Sequence, residues 1–334
     1  MAVTQLEGRT ELLVTAEALP AEQNRWLVLL RRFSRHRLAV GSTFLVLFFG
    51  IVFLLARSIA PFSAVELELG NVFAKPLTLS ESGRMHWLGT DHVGRDYFSR
   101  ILYAGRISLT VALIAVFGAS LFGVFFGAVS GYFKGWVDDA MMRLVEFLLT
   151  IPTLPILLIL SSILIQSPEL IPVPAFVLNG LASLLYIQTR EAQQVVMVII
   201  VLMSFGWLTT ARLMRGMVLS LRELEFTDAA RALGASDLRI ITRHMIPNSM
   251  APIIVDASLA LAGFVILEAA LSFLGFGIQD PTPTWGNMLS FTQSYMFQHP
   301  WLPLIPGLPI FLFALMFNFI GDGLRDALDP RLKR

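Results

Sequence analysis

Few residues in this 334-residue chain could do chemistry. Gly89–Asp96, reading GTDHVGRD, echoes a phosphate-binding loop, in which backbone N–H groups cradle phosphates and a Lys followed by Ser or Thr completes the site. Arg95 and Asp96 stand where that pair is required, so the match is false. Neither the His-Glu-x-x-His helix of a zinc protease nor the Gly-x-Ser-x-Gly elbow of a hydrolase occurs. The histidines, His36, His86, His92, His244 and His299, all fall outside the apolar runs, so no intramembrane metal or nucleophile site is expected. Zero cysteines exclude disulfides, zinc–thiolate sites and iron–sulfur clusters. The chain shows no catalytic chemistry of its own and calls for no cofactor. Energy for any work it does must come from a partner or from an ion gradient.

The elements that carry these residues are hydrophobic. The composition is 55% hydrophobic and only 15% charged, against roughly 25% charged in an ordinary soluble protein. Mean hydropathy is +0.70, and the apolar residues gather into long runs, which points to a bilayer as the solvent. A bilayer core of about 30 Å takes about 20 apolar residues as helix. Leu38–Ala56, Ile107–Tyr132, Leu144–Ile165, Val195–Leu213, Met250–Leu274 and Trp301–Ile320 satisfy that length. The first is too long, and starts too far into the chain, to be a cleaved signal peptide. Ile171–Ile187 is also apolar, but Pro172, Pro174 and Asn179 make it a re-entrant or interfacial element. A formal charge of +1 gives no basic field for nucleic acid.

Six spans with the N-terminus inside place most Lys and Arg in the cytoplasm, as the positive-inside rule demands. A seventh span at Ile171–Ile187 would carry the basic stretch Arg212–Arg243 and the C-terminal tail outside. The expected organisation is a cytoplasmic tail over 1–37, a first span over 38–56, an extracytoplasmic loop over 57–106, a five-helix core over 107–320 and a cytoplasmic tail over 321–334.

The cytoplasmic segment Ser220–Pro247 reads SLRELEFTDAARALGASDLRIITRHMIP. Ser220 and Glu223 have capping-box spacing, Thr227 can cap a short helix, and Asp228 would sit at its positive end. Ala229, Ala230 and Ala232 are small enough for another surface to approach closely. Gly234 suits the left-handed position that ends a helix, Ser236 can cap the next, and Pro247 marks its stop. The result is a helix-turn-helix bracket between two spans. A plain solvated connector would also show such caps. A DNA-binding bracket is a weaker alternative, because this one is tethered at both ends to the bilayer.

Asp228–Pro247, with its DAA-x3-G-x9-H-x-IP pattern, resembles the EAA motif of ABC importer permeases. In that family a cytoplasmic coupling helix seats in a cleft of the ATPase subunit. Asp228 replaces the usual Glu and Ile246 the usual Leu, with spacing intact. WLGTDHVGRDYFSRILYAGRISL (Trp87–Leu109), LSFLGFGIQDPTPTWGNML (Leu271–Leu289) and GDGLRDALDPRL (Gly321–Leu332) are similar to the C-type permease of dipeptide and oligopeptide importers. The resemblance implies an all-α integral membrane protein with six transmembrane helices, the type I importer permease (MetI-like) fold with an extra N-terminal span. It also implies a homologous B-type permease, two ABC ATPases and an extracytoplasmic binding protein as partners, in a bacterial inner membrane with both termini cytoplasmic. Asp228, Ala229, Ala230, Gly234, Ala235 and Pro247 then carry the ATPase contact. Gln166–Gln194 is longer than the family pattern.

Ala119, Gly123, Gly127 and Gly131 recur every four residues and make one smooth helix face, assigned to packing. Pro152 and Pro155 free backbone groups or kink the third span. Asp256 and Glu268 are read as edge carboxylates reaching interfacial water or a partner, in preference to lining a translocation path. One other function class stays open. An ion-coupled secondary transporter should show inverted repeats and buried ion-coordinating groups, and no convincing repeat is found. An intramembrane enzyme lacks catalytic residues.

Overall fold

A computed structural model describes residues 25–328. A short amphipathic helix α1 (Arg25–Phe33) leads into α2 (Arg37–Leu54), the first membrane-length helix. Phe44, Leu47 and Ile51 stand exposed on α2, as lipid-facing residues must. A single turn, α3 (Ala56–Ile59), follows. The chain then folds outside the helical bundle, with a two-stranded antiparallel ribbon, β1 (Thr78–Leu79) and β2 (Met85–His86), in which Thr78 pairs with His86 and Leu79 with Met85.

Helix α4 (Tyr97–Phe133) begins ten residues before the expected span, so the outer loop is shorter than 57–106. The reason is local: the Asp96 carboxylate accepts the Ser99 N–H at 2.7 Å, capping the helix, and the following small and apolar residues continue it. At 37 residues α4 is about 55 Å long, well beyond a bilayer core.

The expected third span is two helices. Helices α5 (Gly135–Thr150) and α6 (Thr153–Gln166) meet at 91°. Ile151, preceding Pro152, is held in an extended conformation, which breaks the α path where the two prolines begin. Helix α7 (Ala175–Leu185), the 11-residue apolar element before the fourth span, is shorter than a membrane helix. Helices α8 (Thr189–Gly206) and α9 (Leu208–Arg222) form the fourth span with a 42° bend at Trp207.

The bracket comprises α10 (Glu225–Ala232) and α11 (Asp237–Ile240). Helix α11 does not end at Pro247. It passes through a π-helical segment, Ile241–Met245, into α12 (Ile246–Phe273), so that Asp237–Phe273 is one continuous helix. The expectation of a stop fails because Pro247 falls in the first turn of α12, where the widened π segment takes up the missing N–H and the ring clash. Outside again, α13 (Trp285–Gln293) precedes the last span, α14 (Leu304–Leu328). That helix runs through 321–328, so the expected C-terminal tail is helical there. Residues 1–24 of the expected N-terminal tail and 329–334 of the C-terminal one lie outside the described residues. Counting each bent pair as one span gives six crossings.

The core lies between α4, α8, α9, α12 and α14, and is filled by small residues where helices touch and by rings where they splay. Phe53, Trp285 and Phe313 form such a ring cluster, with centroids 5.2 to 5.9 Å apart.

Candidate functional site

The glycine face of α4 lies against α9. A side chain at Gly127 would meet the Ala211 carbonyl oxygen at 2.2 Å, and at Gly123 the Trp207 carbonyl at 2.7 Å. Gly131 sits on Arg215 and Val218 in the same way, and Ala119 touches Gly206 at the bend. All four residues therefore touch α8, α9 or the residue between them within the chain, and the long helix and the fourth span pack in close backbone contact. An Arg215–Asp138 pair, bidentate at 2.6 and 2.7 Å, fastens α5 to the same unit, and Ser130 of α4 donates to that carboxylate.

At the end of this unit hangs the bracket. Leu233, Gly234 and Ala235 close α10 with a Schellman turn: the Ala235 N–H reaches the Ala230 carbonyl at 3.0 Å and the Gly234 N–H the Arg231 carbonyl at 2.9 Å. Gly234 has φ +77°, and a Cβ there would meet nothing within 4 Å. Its requirement for glycine is therefore one of backbone conformation, not of space. Two caps expected from the sequence are absent. Ser220 lies inside α9 and its hydroxyl donates to the Gly216 carbonyl, so it forms no box with Glu223. Thr227 lies inside α10, buried, donating to the Leu221 carbonyl at 3.0 Å, and Leu224 occupies the cap position. Ser236 does occupy the cap position of α11, though its hydroxyl makes no capping bond.

Tyr132, at the end of α4, pins the bracket from both sides. Its hydroxyl donates to Asp237 at 2.7 Å, its carbonyl accepts from Arg222 at 2.5 Å, and the guanidinium of Arg231 lies 5.5 Å over its ring. Lys134 adds an exposed pair to Glu223. The candidate residues then divide. Asp228, paired with Arg231 at 3.1 Å, Ala229, Gly234 and Pro247 face outward. Ala230 and Ala235 pack inward on a second core of Val124, Met214, Val218 and Ile240. Beside the outward residues, Leu233 is 89% and Leu238 70% exposed. Sequence reasoning missed both leucines and Tyr132. The signal was present in the leucines' flanking of the glycine, but a leucine in an apolar chain draws no notice.

The membrane carboxylates have partners. Asp256 accepts from Thr210 at 2.7 Å. Glu268 is fully buried, accepting from Ser108 and Ser272 at 2.9 Å each, so of the two expected alternatives, interfacial water or a partner, it has partners: hydroxyls on α4 and its own helix satisfy it.

The outer region is built of ion pairs. Arg95 binds Asp91 at 2.6 Å and Asp280 at 2.8 Å, and Arg100 binds Asp280 at 3.2 Å and the Ala64 carbonyl at 2.9 Å. The false phosphate-loop match is thus a brace between the two outer segments. His86, fully buried, bridges Glu68 at 3.1 Å and Asp96 at 3.0 Å, stacked on Phe62. Burial pushes the Glu68 carboxyl up, but hydrogen bonds from Ser80, Asn71 and His86 outweigh it and bring the group down to about 2. The Arg84 guanidinium beside Glu66 holds that carboxyl below its ordinary value. Among the described residues no group of three or more His, Asp or Glu side chains is placed to hold a metal ion.

Known proteins are similar to this chain in sequence. Residues 123–334 match the family described as binding-protein-dependent transport system inner membrane component, and residues 24–76 match the N-terminal transmembrane domain of oligopeptide transport permease C. The chain belongs to this permease family. The dipeptide transport system permease protein of Alkalihalophilus pseudofirmus is 37% identical over 92% of this chain and 90% of its own length. The glutathione transport system permease proteins of Pectobacterium atrosepticum and of an Escherichia coli strain are each 36% identical over 92% of this chain, covering 92% and 91% of their own lengths. Among solved structures, an inward-facing form of the MetNI methionine ABC transporter aligns with a TM-score of 0.44 and 15% identity, covering 67% of this chain and 93% of that one. The protein is accordingly a multi-pass membrane permease subunit, a transport component and not an enzyme, and its family works with a binding protein.

Proposed function

We propose that this permease subunit pairs with a homologous B-type subunit, two cytoplasmic ABC ATPases and an extracytoplasmic binding protein, and imports short peptides or related solutes across a bacterial inner membrane. Both termini and the bracket then face the cytoplasm, and α10 is the coupling helix. The observation that carries this reading is the pair of exposed leucines, Leu233 and Leu238, on a bracket that is otherwise fastened to α4 and α9. Isolated exposed leucines are ordinary, but these flank a left-handed turn of fixed geometry, which presents them as a small rigid knob for an apolar cleft. Closure of the ATPases would push the knob, and the glycine-packed α4–α9 unit would carry that displacement into the membrane as alternating access. The dipeptide and glutathione permeases to which the chain is similar support a short-peptide cargo.

Purification of the intact assembly in mild detergent, followed by reconstitution into vesicles, tests this. ATPase chains and a binding protein should co-purify, and radiolabelled di- and tripeptides should accumulate only with ATP on the bracket side. Uptake driven by a proton or sodium gradient without ATP would overturn it.

A further inference from the structure

At the outer end of the bundle, four stretches of chain far apart in sequence enclose a cavity of about 430 Å³, inside the range of about 300–1,000 Å³ in which small-molecule pockets fall. Its walls are α3 with the segment after it, the outer turns of α4, the junction of α7 and α8, and the loop that leads to α13. That junction belongs to Gln166–Gln194, the stretch that runs longer than the family pattern.

Two opposite charges line the cavity, Arg57 on α3 and Glu191 in the first turn of α8. Among the described residues Arg57 forms no ion pair or hydrogen bond, and its guanidinium lies 5.3 Å from the centroid of the Tyr186 ring. Glu191 accepts the Gln188 N–H at 3.1 Å and has no cationic partner among those residues. The two charges therefore stand on one cavity without meeting each other. Arg106 lies 3.9 Å over the same tyrosine ring. It is buried and does not line the cavity, but no carboxylate answers it, so it adds positive potential on the Arg57 side. Tyr186 itself has φ +56°, a left-handed conformation that a bulky residue seldom adopts. The Ile187 N–H closes that turn on the Ala182 carbonyl at 3.1 Å. A backbone held in this way, with its ring on a cavity, is a feature of ligand sites.

We propose that the cavity binds a zwitterion, a short peptide with free termini, its carboxylate at Arg57 and its ammonium at Glu191. A ligand with one charge leaves the other side unanswered, whereas a zwitterion answers both. An extended dipeptide spans about 7 Å, which a cavity of this volume takes in. Tyr103 and Tyr186 offer ring faces and hydroxyls to side chains of differing kind. The choice of a peptide among zwitterions rests on the cargo proposed above; the charge pattern does not.

The experiment titrates the whole complex in nanodiscs, with the binding protein and ATP left out, using radiolabelled dialanine, N-acetyl-dialanine and dialanine amide. Saturable binding of one dialanine per complex is expected, weakened by about tenfold or more when either terminus is blocked. Arg57→Gln should weaken dialanine to the same degree and make amidation of the carboxyl inconsequential. Glu191→Gln should do so for acetylation of the amine, while its side-chain carbonyl still accepts the Gln188 N–H. Tyr186→Gly, which relieves the left-handed strain, should assemble with the ATPases and bind weakly, and it decides the matter if a charge variant fails to fold. Binding unchanged in these variants, or indifferent to blocked termini, overturns the proposal. So does loss of peptide binding when phosphatidylethanolamine replaces phosphatidylglycerol in the disc, which would mark a lipid-headgroup site. If dialanine fails to bind yet ATP-driven uptake proceeds once the binding protein is added, this site is wrong and the function proposed above stands; if neither occurs, both fall.

Discussion

The two ends of this molecule are built on opposite plans. Outside, the segments before α4 and after α12 are joined by buried charges: Asp91, Arg95, Arg100 and Asp280 form one network, and Glu68, His86 and Asp96 another. Inside, the bracket has an exposed apolar tip, a backbone-closed turn and a few side-chain pins at its base. A buried ion network loses heavily when one member is removed, so the outer end resists deformation as a block. The inner end is stiff where Tyr132 and Thr227 hold it and open where Leu233 and Leu238 protrude, which suits a surface that must be grasped and moved. Under the function proposed above, rigidity falls on the side that would receive solute and a handle on the side that would receive force.

The largest test of this contrast is on the outside. Asp91→Ala takes a partner from Arg95, itself 5% exposed at its side chain, and should cost about 3 kcal/mol, read as a lower unfolding midpoint in detergent, while the bracket's accessibility to labels stays unchanged. Gly234→Val comes next: a β-branched residue at φ +77° is disfavoured by about 1–2 kcal/mol. ATP hydrolysis should continue with uptake falling at least tenfold, and with membrane insertion intact; unchanged uptake would count against the turn. Tyr132→Phe removes one hydrogen bond, the 2.7 Å bond to Asp237, worth about 1 kcal/mol. Faster hydrogen exchange should appear in α10 and α11 and nowhere in the outer region. A further test is the pH dependence of the outer ribbon. Glu68 is held at about 2 when folded, against 4.5 as its ordinary value. Its stabilisation is therefore complete above about 4.5 and is lost as pH falls toward about 2. Exchange protection in the outer ribbon should decline across that window, and Glu68→Gln should flatten the decline.

Much of the fold was legible because a bilayer imposes a length rule on apolar runs, and each expected span overlaps a helix or a bent pair of helices, although α4 starts ten residues earlier than expected and the helix through α12 starts at Asp237. The bends were harder. Pro152 signalled a break, but 91° needs the rest of the bundle to choose it, and no proline marks the 42° bend at Trp207. In the bracket, Gly234 was legible because the left-handed region admits little else. Ser220 and Thr227 were misread because α9 continues to Arg222, held there by the Tyr132 carbonyl, a partner 90 residues away. The outer network was invisible for the same reason: Arg95 and Asp280 are 185 residues apart. Arg106 carried no sequence signal, since only the fold stacks it on Tyr186 and leaves its Nε and Nη1 without an acceptor.

The central claim is that the bracket is where force enters. The chain has no native cysteine, so Leu233→Cys gives a single reactive handle on this subunit of the intact assembly. Cross-linking with a short bifunctional reagent should join it to an ATPase subunit, and ATP should change the yield. If the thiol instead reacts with a membrane-impermeant label applied from the extracytoplasmic side, or joins no ATPase at all, the account is wrong.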